Sequence, residues 1–142
     1  PAITGAEAKK GSDLLDLVGL GQYRDQSTGG LSYGQQKLVE LAQVLMLRPR
    51  LILLDEPAGG INPTQIEQIA GLIRELNRAG TTFLVVEHNL PFVTELCDSV
   101  RVLAGGRCVA TGRPDEVQRD PVVREAYLGA DIPPRPTAEA NR

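Results

Sequence analysis

Apolar positions along this chain follow two rhythms. In Leu51-Ile52-Leu53-Leu54 and in Thr81–Val86 they run on without alternation. An unalternating apolar run of strand length reads as a strand buried on both faces, the kind found in a parallel sheet under helices. Elsewhere apolar residues recur at helical spacing: Leu38, Leu41, Ala42 and Leu45 in one stripe, Ile66, Ile69, Ile73 and Leu76 in another. Such stripes predict amphipathic helices. Polar and breaker residues punctuate them. Ser32 and Gln35 have the spacing of a capping box at the start of the first helix, and Arg48-Pro49 stops it. Asn62 suits the N-cap of the second and Pro63 its first position. Gly80 suits its C′ position.

The rest of the chain is read by the same signals. Ala6–Val18 predicts a short helix with Leu14, Leu15, Leu17 and Val18 on its apolar face and Gly19 and Gly21 as stops. Gln22–Gly30 is polar and predicts a loop. Asn89-Leu90-Pro91 opens a helix reaching to about Cys97. Ser99–Leu103 and Arg107–Thr111 read as strands of a hairpin turning at Ala104-Gly105-Gly106. Pro114–Gln118 and Pro121–Leu128 predict two last helices, with Asp120 as a cap and Gly129 as a stop. Residues 130–142 are rich in proline and small polar residues without periodicity, so they are expected to be disordered. Strands alternating with helices predict an α/β fold with a mainly parallel sheet, and the hairpin adds an antiparallel edge.

Composition narrows the partners. The length suffices for one domain with a real core. A formal charge of −3, with no Lys/Arg cluster, argues against a nucleic-acid surface. There is no secretory apolar segment and no run near membrane-spanning length. Cys97 and Cys108 lack metal spacing and are expected to be reduced, buried small residues. A first residue Pro1 rather than Met suggests a processed chain or a fragment.

Three places carry candidate chemistry. Asp55 and Glu56 end the first apolar run, where open α/β sheets bind ligands at the carboxyl edge. An aspartate there suits Mg²⁺, directly or through water, beside a phosphate, and the adjacent glutamate suits orienting or deprotonating an attacking water. The start of the Ser32 helix presents unpaired N–H groups and the positive end of the dipole, which favour a phosphate. Gly34 permits close approach to the backbone, and Ser32 and Gln35 carry donors for phosphate oxygens. His88, the one histidine, follows the second apolar run as Asp55-Glu56 follows the first, so parallel strands bring them to one edge.

These signals stand in one order: Leu31-Ser32-Tyr33-Gly34-Gln35, a helix, Leu51–Pro57, a turn, a helix, a strand, His88. In that order the chain resembles the second half of an ABC-type ATPase, the nucleotide-binding subunit of an ABC transporter. Leu31–Gln35 resembles the family signature, usually Leu-Ser-Gly-Gly-Gln. Leu51–Glu56 resembles the Walker B strand with its catalytic glutamate. Ala58-Gly59-Gly60-Ile61-Asn62 occupies the place of the D-loop, and His88 matches the switch histidine. The resemblance runs from about Asp13 to Gly129, and four motifs in order make it specific. Tyr33, Asn62 and the stretch Asp120–Gly129 are similar to the subfamily that drives bacterial uptake of branched-chain amino acids. The ATPase of lipopolysaccharide export is the close runner-up.

The resemblance implies a partial P-loop NTPase (ABC ATPase) fold. Residues 1–48 would belong to the helical signature subdomain and 49–129 to the ATPase core. It implies ATP and Mg²⁺ as ligands, with Asp55 holding Mg²⁺ through water, Glu56 as general base and His88 positioning the water and γ-phosphate. Ser32, Tyr33, Gly34 and Gln35 would bind, in trans, the ATP held by a second ATPase subunit, and Ala58, Gly59, Gly60, Ile61 and Asn62 would lie at that interface. Transmembrane permease subunits would hold the protein on the inner face of the cell membrane. No lysine here follows a glycine, since Ala8, Lys9 and Gln36 precede the three lysines. The Gly-Lys-Ser/Thr phosphate loop and the Walker A strand therefore have no counterpart, and the chain alone is expected to be inactive. In the family fold that strand lies between the one ending at His88 and the one near Ser99–Leu103, so open sheet edges are expected, with self-association or rearrangement around Thr81–Val86. A non-catalytic interaction module is the alternative function class. A DNA-repair ATPase is disfavoured, because no coiled-coil heptads flank the signature.

Overall fold

Turn chemistry and caps place the elements where the apolar rhythm predicts them. The computed structural model describes residues 3–127. Its helices are α1 (Gly5–Leu17), α2 (Tyr33–Leu45), α3 (Pro63–Arg78), α4 (Leu90–Leu96), α5 (Pro114–Arg119) and α6 (Pro121–Tyr127). Its strands are β1 (Leu51–Asp55), β2 (Thr82–Val86), β3 (Val100–Ala104) and β4 (Arg107–Gly112). The segment read as a loop holds two short 3₁₀ turns, Gly21–Tyr23 and Thr28–Gly30. The tail at 130–142, with Gly129, lies outside the described residues. The chain divides into two compact units, one ending at Phe92 and the other starting at Val93.

In the first unit each helix starts on a side-chain cap. Thr4 and Glu7 form a capping box on α1, and Ser32 and Gln35 form the one predicted on α2. Asn62 caps α3 and Pro63 takes its first position. These caps satisfy backbone donors that a helix start leaves unpaired. The stripes point inward: Leu38, Leu41, Ala42 and Leu45 of α2 are buried, as are Ile69, Ala70, Leu72 and Ile73 of α3. Packing joins α1 to α2 and α3 to β2. Two long side chains add bonds from α1 to the end of α2 and from α3 to the end of α1. Lys10 Nζ donates to the Met46 carbonyl at 2.7 Å, and Gln68 Nε2 donates to the Val18 carbonyl at 2.9 Å.

β1 and β2 pair in parallel, from Leu51 beside Thr82 to Asp55 beside Val86. One expectation fails here. The strands are not covered on both faces: Ile52 is buried, yet Leu53 is 69% exposed, Leu84 55% and Val86 60%. Side chains alternate across a strand, so Leu51, Leu53, Leu84 and Val86 share the uncovered face. The composition is that of a strand enclosed on two sides, but in this chain helices cover one.

The second unit is a hairpin with helices on it. β3 and β4 pair antiparallel around Gly105 and Gly106, whose φ values of 54° and 72° suit the tight primed turn that two glycines permit. A β-bulge interrupts the register between Val102 and Leu103. It lets the consecutive residues Val109 and Ala110 both face a core with Val102, Val117 and Val123. This corrects the expectation that both cysteines are buried: Cys108, next to inward-facing Val109, is exposed, whereas Cys97 is half-buried.

Candidate functional site

Parallel pairing brings the two strand ends to one edge. The ladder extends one bond past the strands, the Glu56 N–H donating to the Val86 carbonyl at 2.9 Å. The chain then turns sharply, with Glu56 at φ 46°. A left-handed backbone at a non-glycine residue costs about 1–2 kcal/mol, so surrounding contacts must hold it. The Glu56 carbonyl accepts from Gly59 N–H at 3.0 Å and from Lys37 Nζ at 2.7 Å. The same ammonium reaches the carbonyls of Gly59 at 2.9 Å and Pro57 at 3.4 Å. It also lies 5.1 Å from the centre of the Tyr33 ring. A single lysine of α2 thus gathers the turn that follows β1.

Glu56 and His88 meet at this edge. His88 Nδ1 stands 3.4 Å from Glu56 Oε1, with both side chains more than half exposed. An exposed pair of this kind adds little stability. Its interest is chemical, since a carboxylate and an imidazole face the same solvent-open place. Asp55 is exposed one residue earlier and makes no side-chain hydrogen bond or ion pair among the described residues. One free carboxylate is the usual protein share of a Mg²⁺ site beside phosphates, water and phosphate oxygens supplying the rest. Asp55 fits that share. No cluster of three or more His, Cys, Asp and Glu side chains able to hold a metal occurs among the described residues.

Ser32–Gln35 opens α2 as the spacing predicts. Ser32 Oγ accepts from Gln35 N–H at 3.3 Å, and Gln35 Oε1 accepts from Ser32 N–H at 2.9 Å. Gln65 Nε2 of α3 donates to Ser32 Oγ at 3.3 Å. These bonds use the oxygens, so the Ser32 hydroxyl hydrogen and the Gln35 amide N–H groups remain available to a phosphate. Gly34 is buried, and a Cβ there would meet the Gln65 amide, so a larger residue would have to displace the end of that side chain and with it the bond from Gln65 to Ser32. Tyr33 reaches over the turn after β1: a Cβ on Gly60, whose φ is 72°, would lie 3.2 Å from the Tyr33 ring. In the rest of that turn, Ala58 is buried, Gly59 and Ile61 are half-buried, and Asn62 Oδ1 accepts from Gln65 N–H at 2.9 Å.

The structure thus groups Glu56 with His88 and joins the start of α2 to the turn after β1. Sequence reasoning passed over three residues that do the joining: Lys37, Gln65 and Glu87. The Glu87 side chain is only 1% exposed. Its Oε1 accepts from Ala58 N–H at 2.7 Å, and its Oε2 accepts from His88 N–H at 3.0 Å and Asn89 N–H at 3.1 Å. Period two offers a signal for it, because Phe83, Val85 and Glu87 fall on the inward side of β2 and its extension. For Lys37 the signal is its i, i+4 spacing from Tyr33.

Comparison with known proteins gives two family matches. An ABC transporter model matches residues 5–59, and a branched-chain amino acid ATP-binding cassette transporter model matches 107–132. The high-affinity branched-chain amino acid transport ATP-binding protein BraF of Pseudomonas aeruginosa is 38% identical over 116 residues, 81% of this chain and 46% of that protein. The lipopolysaccharide export system ATP-binding protein LptB of Acidithiobacillus ferridurans is 39% identical over 116 residues, 82% of this chain and 48% of that protein. Among solved structures, the ADP conformation of MJ1267, an ATP-binding cassette of an ABC transporter, superposes with a TM-score of 0.83 at 35% identity. That match covers 91% of this chain and 52% of the solved one. The chain spans about half the length of the curated relatives it matches.

Proposed function

The chain belongs to the ABC transporter family of ATP-binding proteins, and from this premise we propose that it supplies the hydrolytic edge and the signature of an ATPase that powers transport. The observation that carries the proposal is the 3.4 Å approach of His88 Nδ1 to Glu56 Oε1 at the carboxyl edge of a parallel strand pair, one residue beyond the free Asp55. In this reading Glu56 takes a proton from the attacking water. His88 orients that water and the γ-phosphate. Asp55 would hold Mg²⁺, which when bound would offset the charge on the phosphate oxygens. Ser32, Gly34 and Gln35 donate to the γ-phosphate of an ATP held by a second ATPase subunit, with Tyr33 beside them. Residues 58–62 line the interface between the two subunits.

The ATP-binding energy comes mainly from a phosphate loop, which this sequence does not contain. The chain alone is therefore proposed to be inactive, with 1–48 acting as part of the signature subdomain and 49–129 as part of the core. Branched-chain amino acid import is the preferred task, supported by the family model at residues 107–132. Lipopolysaccharide export is the second reading, supported by the likeness to LptB. In either case permease subunits hold the protein at the inner face of the membrane; no helix among the described residues is long and apolar enough to cross one.

Calorimetry and turnover test this. The purified chain is expected to give no measurable heat with Mg-ATP. Joined to a segment that carries a phosphate loop, it is expected to hydrolyse ATP, and Glu56→Gln to keep ATP binding while turnover falls ~100-fold or more. Near-wild-type turnover in that variant removes Glu56 from its role. Micromolar binding by the chain alone removes the half-site reading.

A further inference from the structure

Glu87 stands outside every motif named above, yet it is the most enclosed carboxylate at the site. Its side chain is 1% exposed and faces three backbone N–H groups: those of Ala58, His88 and Asn89, at 2.7, 3.0 and 3.1 Å. A carboxylate has only acceptors, and here both oxygens are engaged by donors. The three donors belong to two different segments. Ala58 lies in the turn that begins at Glu56. His88 and Asn89 form the turn that leaves β2. Through Ala58 the Glu87 side chain ties one turn to the other, across 29 positions of sequence.

We propose that Glu87 is a positioning residue that sets the distance between Glu56 and His88 by clamping the two turns that carry them. The local geometry makes the clamp necessary. Glu56 sits at a positive φ that its own residue type disfavours. The His88 side chain is 74% exposed, so packing does not fix it. Strand pairing ends at the Glu56 to Val86 bond. Past that bond Lys37 holds the first turn to α2, and Glu87 holds it to the second. Glutamine in place of Glu87 keeps the shape but replaces one acceptor oxygen with an NH₂ group. That group would face an N–H donor, so one side of the clamp must open.

The inference deepens the proposed hydrolytic role of Glu56 and His88, but its test needs no nucleotide, so the two can fail separately. His88 is the one histidine, so its ring gives a single set of NMR signals in the whole chain. In the wild type, a through-hydrogen-bond coupling is expected between the Ala58 amide nitrogen and the Glu87 carboxyl carbon. In Glu87→Gln, amide exchange at Ala58, or at both His88 and Asn89, is expected to quicken about tenfold or more, while amides within the β1–β2 ladder keep their protection. Glu56→Gln is expected to move the His88 ring signals in the wild-type background and to move them much less in the Glu87→Gln background. A merely structural role would lower stability without removing that response. Absence of the wild-type coupling overturns the proposal, whatever the variants do. So does an equal His88 response to Glu56→Gln in both backgrounds.

Discussion

Glu56 holds its left-handed turn because other groups meet its carbonyl, and Lys37 is the one that reaches from another element. A single ammonium satisfying three carbonyls does what no backbone bond in the turn can do alone. Lys37→Met keeps the aliphatic stem and removes the donors. It is expected to lower the stability of the chain by ~1–2 kcal/mol, read from urea denaturation. The cysteines separate at the same scale. Burial, and after it the charge of Asp98, pushes the Cys97 thiol up, so less of it is thiolate at a given pH. Cys108 is exposed on the outer side of β4. At neutral pH, iodoacetamide is therefore expected to modify Cys108 well before Cys97, as peptide mass spectrometry would resolve.

At the scale of elements, the parallel pair β1–β2 has one covered and one uncovered face. Ile52 is 3% exposed on the first and Leu53 is 69% exposed on the second. These neighbours therefore respond differently to change. Ile52→Ala is expected to cost ~2–5 kcal/mol, the range for deleting a buried aliphatic side chain. Leu53→Thr puts a β-branched residue of good strand propensity on an open face and is expected to stay within ~0.5 kcal/mol of wild type. Equal losses from the two, by chemical denaturation at concentrations low enough to keep the chain monomeric, would mean that the outer face is covered within the chain itself. The caps belong to this scale too. Ser32 and Asn62 each start a helix while forming part of the candidate site, so a substitution there perturbs helix and chemistry together.

Across the molecule, the exposed apolar face and the open edges of the β1–β2 sheet point the same way. Each of its strands has one neighbour among the described residues, leaving the outer N–H and C=O groups of both unpaired. Unpaired edges beside apolar surface invite another chain. The isolated chain is expected to self-associate, with the weight-average mass from sedimentation equilibrium or light scattering rising with concentration. Leu53→Thr combined with Leu84→Thr is expected to shift it toward the monomer. A clean monomer for the wild type, with a dispersed native spectrum, counts against association through this sheet.

Local signals in the sequence determined the elements of this protein and which polar residues stand at their ends. Caps, stops and apolar periods depend on neighbours a few positions away, and so Ser32, Asn62, the Gly105-Gly106 turn and the strands before Asp55 and His88 were legible. The order of the motifs made the family legible as well. Tertiary structure decided what lies far apart in sequence but close in space. It set the 3.4 Å approach of His88 to Glu56, the reach of Lys37 across to the turn after β1, and the Glu87 bond to Ala58. It also decided which face of an all-apolar strand is covered, because a run of leucines carries no alternation to say so. The bulge in the hairpin turned Val109 inward beside Ala110 and left Cys108 outside, a choice made by cross-strand register rather than by the residues themselves.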